Sequence, residues 1–120
     1  MKVLLADDQP QVRSALRLLI EQEAQAQVVG EAASAADLLG QGPTLAPDTI
    51  LIDWELPGLS PIDGLSSVRQ VFPSAQIVAL SSRPEERQSA LYAGADRFVC
   101  KGDPPEVVLA ALQGKKQKTR

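Results

Sequence analysis

Five side chains in this 120-residue sequence are placed for phosphate or cation chemistry: Asp7, Asp8, Asp53, Ser81 and Lys101. Each ends or directly follows a short apolar run. Asp7 and Asp8 follow KVLLA (2–6), Asp53 ends TILID (49–53), Ser81 follows QIVAL (76–80) and Lys101 follows DRFVC (96–100). If those runs are strands of one parallel sheet, three carboxylates, a hydroxyl and an ammonium meet on one rim. Three close carboxylates cannot all ionise cheaply without a counter-charge. A hard divalent cation supplies one, and Mg²⁺ favours a site of few carboxylates, retained waters and a phosphate oxygen. Such a rim leaves one carboxylate free to attack phosphorus, as in aspartyl phosphates. Lys101 and Ser81 would then bind phosphoryl oxygens.

The elements that must hold these groups can be read from apolar periodicity. A second strand is predicted at AQVVGEA (26–32). Helices are predicted over Pro10–Glu21, Ser34–Leu39, Leu65–Phe72, Pro84–Ala93 and Pro104–Leu112. Pro10 suits a first helical turn, Ser34 an N-cap and Gly94 a C-terminal cap. Residues 40–48 and 54–64 are predicted loops, rich in Gly and Pro. The order is βαβαβαβαβα, which predicts an α/β fold with a doubly wound parallel sheet. Strands as uniformly apolar as TILI and IVAL fit a sheet covered on both faces. With right-handed crossovers, five such units favour the flavodoxin-like order 2-1-3-4-5. Ligands of such sheets bind beyond the carboxyl ends of the strands, where strands 1 and 3 meet.

Composition excludes several alternatives. The chain has no histidine, which removes Ser-His-Asp and Cys-His catalysis and imidazole-bound zinc. Any histidine chemistry must come from a partner. The single cysteine, Cys100, forms no internal disulfide and fits a reducing, cytoplasmic setting. No apolar stretch approaches the ~20 residues of a membrane span. The net charge is −3, but KKQKTR at the end holds four of the twelve basic residues, leaving a body of −7. An acidic body argues against direct nucleic-acid binding. One domain over 1–113 is expected, with 114–120 as a basic tail or linker start.

ADD (6–8), LIDWELPG (51–58), ALSS (79–82) and AGADRFVCKGDPPE (93–106) resemble the receiver domain of two-component response regulators. VVGEAAS (28–34) and KGDPPEVVLAAL (101–112) lean toward the NarL/FixJ/LuxR-like branch, whose members carry a helix-turn-helix output domain. The resemblance covers nearly the whole chain, and five motifs in order, each at a strand end, make it specific. It implies that Asp53 is the phosphoacceptor and that Asp7 and Asp8 are the acidic metal pair. It implies that the Glu55 backbone carbonyl helps hold Mg²⁺ and that Lys101 binds the phosphoryl group. Ser81 matches the switch hydroxyl, Phe98 the switch aromatic, Ser82 the small residue that keeps the site open and Pro57 the loop proline.

The implied partner is a sensor histidine kinase or phosphotransfer protein. Phosphorylation would alter the face of the fourth helix, fifth strand and fifth helix, where a homodimer could form. DNA would be reached only through an output domain absent from this chain. The chain departs from the family pattern at three places. The segment 57–64 is about three residues longer than usual and 81–94 about two shorter, within what loops accept. Gly102 follows Lys101 where proline is frequent, which leaves the isomer of that peptide open.

Plainer readings stand beside these. Asp7 and Asp8 suit caps of the first helix, and Ser81 alone suits a turn. Phe98 suits core as well as switch. Cys100 reads as a small buried apolar residue and Trp54 as a packing or lid residue. Arg17, Glu21 and Glu23 read as a solvated helix face. Two rival functions remain. One is a phosphatase of the haloacid dehalogenase class, which wants an aspartate where this chain has Glu55. The other is a degenerate receiver that serves as a scaffold. The favoured expectation is a phosphoacceptor switch that is not a turnover enzyme.

Overall fold

The protein is described by a computed structural model covering residues 1–60 and 65–114. Residues 61–64 of the predicted loop and 115–120 of the predicted tail lie outside the described residues. Five strands form one sheet: β1 (Lys2–Ala6), β2 (Gln27–Ala32), β3 (Thr49–Asp53), β4 (Gln76–Ser81) and β5 (Arg97–Cys100). All neighbours pair in parallel, in the order β2-β1-β3-β4-β5. The helices are α1 (Pro10–Glu23), α2 (Ala35–Gln41), α3 (Ser66–Val71), α4 (Arg87–Tyr92) and α5 (Pro105–Leu112). The doubly wound, flavodoxin-like architecture is as the alternation predicts.

The sheet is buried on both faces, which is why its strands are apolar without alternation. Leu4, Ile50, Ile52, Ile77, Ala79 and Phe98 face one layer, packed with Leu38 of α2, Val68 of α3 and Ala90 of α4. Val3, Leu5, Leu51, Val78, Leu80 and Val99 face the other, packed with Ile20 of α1 and with Val108, Ala111 and Leu112 of α5. Odd and even strand positions therefore serve opposite cores. At ~25 cal/mol per Å² of apolar surface buried, these two layers supply the main drive for folding.

Element ends differ from the predicted ones in places with physical causes. Ser34 is the N-cap of α2: its Oγ accepts the Asp37 N–H at 3.1 Å, and Asp37 Oδ2 accepts the Ala33 N–H at 3.1 Å. The helix then runs through Gly40 to Gln41, two residues past the prediction. Gln41 Nε2 donates to the Glu31 carbonyl at 3.2 Å, which ties the last turn to β2. The predicted fourth helix is split. Pro84–Glu86 form a 3₁₀ turn, and α4 proper starts at Arg87. Gly94, at φ 116°, ends α4 as predicted. Its N–H donates to the Leu91 carbonyl and that of Ala95 to the Ala90 carbonyl, the paired pattern of a Schellman cap. Among the described residues no peptide bond is cis, so Lys101–Gly102 is trans.

Candidate functional site

The rim is built by strand register. Ala6 of β1 pairs with Ile52 of β3, so Asp7 and Asp53 follow on adjacent strands. Asp53 pairs with Leu80 of β4, and Ser81 with Cys100 of β5, so Ser81 and Lys101 follow at the same level. The Lys101 N–H donates to the Ser81 carbonyl at 2.9 Å, which extends this ladder by one rung. The turn after it is closed by Asp103, whose Oδ2 accepts the Cys100 N–H at 3.1 Å and whose N–H donates back to the Cys100 carbonyl.

Asp7 is 0% exposed and Asp53 3%. Asp7 Oδ1 accepts the Gln9 N–H at 2.9 Å. Neither Asp7 nor Asp8 caps α1: the N-cap is Gln9, with no side-chain cap. Arg13 of α1 donates to the Asp7 carbonyl at 2.6 Å and pairs with Glu31 of β2 at 2.8 Å, fixing the start of the rim from below. Arg17, expected on a solvated face, also pairs with Glu31. Asp53 Oδ1 accepts the Glu55 N–H at 3.0 Å. Lys101 Nζ lies 2.8 Å from Asp7 Oδ2 and 3.4 Å from Asp53 Oδ2.

Asp8 is exposed and completes the cluster. One carboxylate oxygen from each of Asp7, Asp8 and Asp53 lies within 4.8 Å of the other two. This donor set fits a hard divalent cation: all three donors are carboxylate oxygens, and Asp7 Oδ2 is buried with the Lys101 ammonium at 2.8 Å as its near counter-charge. Burial raises the Asp53 pKa above the ordinary 3.8, helped by the Asp7 charge and opposed by the Glu55 N–H and Lys101. For Lys101 burial acts downward, but the bond to Asp7 and the charges of Asp53 and Asp7 outweigh it, so its pKa is raised above 10.5. An ammonium so held stays charged at neutral pH.

Around the rim, Ser81 is fully buried. Its Oγ donates to Glu86 Oε1 at 2.7 Å and accepts the Arg83 N–H at 3.0 Å. Glu55 is exposed, with Oε2 3.6 Å from Arg83 Nη2. Trp54 is half-buried against the α2–α3–α4 layer, and its N–H donates to the Leu80 carbonyl at 2.7 Å. Cys100 is half-buried against the same layer. Phe98 is 1% exposed, with its ring centre 5.2 Å from the Arg87 guanidinium carbon. The ring thus lies inside the core in this structure.

The Ser81–Glu86 bond and the support of Asp7 by Arg13 were not foreseen. Three acids or prolines after Ser81 read as an ordinary helix start, since acids favour a first helical turn. The reach of Glu86 depends on the 3₁₀ turn, which no residue type announces.

Residues 3–113 match the response regulator receiver domain. The chain belongs to that family. This receiver domain is 35% identical over 112 residues to the nitrate/nitrite response regulator protein NarL of Escherichia coli K12, an alignment covering 92% of this chain and 52% of NarL. It is 33% identical over 114 residues to NarP of the same strain, covering 93% of this chain and 53% of NarP. The chain thus spans about half the length of the curated relatives it matches. Its fold superposes on a LuxR-family two-component response regulator from Aurantimonas sp. SI85-9A1 with a TM-score of 0.83, at 30% identity, covering 94% of this chain and 82% of that one. The receiver domain of the putative response regulator NarL from Mycobacterium tuberculosis shares the fold, with a TM-score of 0.81 at 23% identity over 94% and 93% of the two chains. Receiver domains of this NarL/LuxR type are signalling switches rather than turnover enzymes, and they bind Mg²⁺ at an acidic pocket like the cluster described. No helix among the described residues is long and apolar enough to cross a membrane.

Proposed function

We propose that this receiver domain accepts a phosphoryl group on Asp53 from a partner carrying phosphohistidine, a sensor histidine kinase or phosphotransfer protein. The observation that carries the reading is the buried Asp53 carboxylate, 3.4 Å from Lys101 and within the three-acid cluster. An Asp53 carboxylate oxygen attacks phosphorus, the O–P bond forms, and the P–N bond to the donor imidazole breaks with its electron pair left on nitrogen. Asp7, Asp8 and Asp53, with the Glu55 backbone carbonyl, are the groups that would hold Mg²⁺. Bound there, the ion would neutralise charge on the phosphoryl oxygens. Lys101 is the fixed cation of the rim and pairs with a phosphoryl oxygen once Asp53 no longer carries its own charge. Ser81 donates a hydrogen bond to another. Burial of Asp7 and Asp53 removes competing water from the acceptor.

The phosphorylated state alters the face of α4, β5 and α5, and through it self-association or partner docking. Phe98 acts there as a packed core residue coupled to Arg87 rather than as a ring that swings in. Residues 1–113 act as the signalling unit and 114–120 as a linker start, in the cytoplasm, with no membrane contact. Transcription control follows through an output domain of the kind NarL-like regulators carry, the only route to DNA. A haloacid dehalogenase mechanism is not favoured, because Glu55 is turned to Arg83 at 3.6 Å. The test is intact mass after incubation with acetyl phosphate and Mg²⁺, with Asp53→Asn as the control.

A further inference from the structure

A serine hydroxyl has one proton to give, and in this chain that proton is taken. Ser81 Oγ donates to Glu86 Oε1 at 2.7 Å, and its lone pair accepts the Arg83 N–H at 3.0 Å. Both bonds come from the short connection between β4 and α4. The Arg83 carbonyl accepts the Glu86 N–H at 3.1 Å, closing the 3₁₀ turn that brings the glutamate back over the serine. A hydroxyl bonded to a carboxylate is held more firmly than one bonded to a neutral group. Ser81 is 0% exposed, so water does not compete for that proton.

We infer that Glu86 is a positioning residue that holds Ser81 in the unphosphorylated state and sets the threshold for switching. The inference rests on the phosphoacceptor reading of Asp53. For Ser81 to donate to a phosphoryl oxygen, its proton must leave Glu86. The freed carboxylate is only half-buried, beside a cavity of about 230 Å³ lined by Trp54, Glu55, Leu56, Leu59 and Ser60, and water can solvate it there. The exchange therefore costs the Ser81–Glu86 bond and little else, and removing Glu86 favours the switched state.

The test is a double-mutant cycle on beryllofluoride affinity in Mg²⁺ buffer, read by calorimetry in wild type, Glu86→Ala, Glu86→Gln, Ser81→Ala and the Glu86→Ala/Ser81→Ala pair. Glu86→Ala tightens binding about 3- to 10-fold, the scale of one hydrogen bond. Glu86→Gln, which keeps a neutral acceptor, gives a smaller gain. In the Ser81→Ala background Glu86→Ala has no effect. An unchanged affinity in Glu86→Ala, or an equal gain without Ser81, overturns the inference; the second result means that Glu86 acts only as a nearby negative charge. If wild type binds no beryllofluoride, the phosphoacceptor reading itself falls. The Ser81–Glu86 hold is then read by NMR in the ligand-free protein. A slowly exchanging Ser81 hydroxyl proton, present in wild type and lost in Glu86→Ala, supports it, and the same proton seen in both overturns it.

Discussion

Lys101 Nζ lies 2.8 Å from Asp7 Oδ2, closer than to Asp53, the carboxylate at 3.4 Å. The lysine is therefore the standing counter-ion of the acidic cluster, and it competes with any cation that binds there. Two unit charges ~4 Å apart interact by ~1 kcal/mol in water and ~4 kcal/mol near a protein surface. Lys101→Ala is expected to leave the domain folded and to tighten Mg²⁺ binding by roughly tenfold, the equivalent of ~1.4 kcal/mol. Titration of the Trp54 fluorescence, backed by calorimetry, measures it. Weaker Mg²⁺ binding in the variant would show that the lysine builds the metal site rather than opposing it.

The same cluster sets a pH dependence. Asp53 has a raised pKa, so the folded chain holds that proton more tightly than the unfolded one. Its ionised form costs stability above the folded pKa, and that cost fades as pH falls toward the unfolded value near 3.8. Asp53→Asn is thus expected to stabilise the domain at neutral pH, by roughly 1 kcal/mol or a rise in Tm of roughly 4 °C, with the gain shrinking in acid. Lys101 acts at the other end. Its stabilisation is full below 10.5 and is lost as pH rises through its raised folded pKa. Urea denaturation across the pH range reads both, since Lys101→Ala removes the alkaline loss and, by taking away the charge that opposes the rise in the Asp53 pKa, enlarges the acid effect of Asp53.

The cap of α2 gives a prediction independent of the site. Ser34→Ala removes the oxygen that accepts the Asp37 N–H, and is expected to cost about 1 kcal/mol. A urea midpoint shift without a change in slope is the signature. No shift would mean that the packing of Ala35 and Leu38 and the remaining bonds of α2 hold it without this cap.

Much of this molecule can be read from its residues. Strand positions such as TILID and QIVAL are apolar on both faces because the sheet is covered twice, and the central strand KVLLA shares the pattern. Polar groups at the ends of those runs stand out against them, and register then brings Asp7, Asp53, Ser81 and Lys101 to one rim. What lies outside such reading depends on angles and reach. The split of residues 84–93 into a 3₁₀ turn and α4 is set by the Glu86 N–H closing on the Arg83 carbonyl, and that turn places Glu86 on Ser81. The preference of Lys101 for Asp7 over Asp53 is a matter of 0.6 Å, the difference between 2.8 and 3.4 Å. Phe98 suits core and switch equally by residue type, and its burial adds that the ring packs in the core.

The central claim is that Asp53 is a phosphoacceptor, and intact mass spectrometry tests it most directly. Wild-type protein incubated with acetyl phosphate and Mg²⁺ is expected to gain one phosphoryl group, removed by hydroxylamine as an acyl phosphate should be, while Asp53→Asn gains none. No addition to folded wild-type protein, or addition to Asp53→Asn at the wild-type yield, would contradict the account.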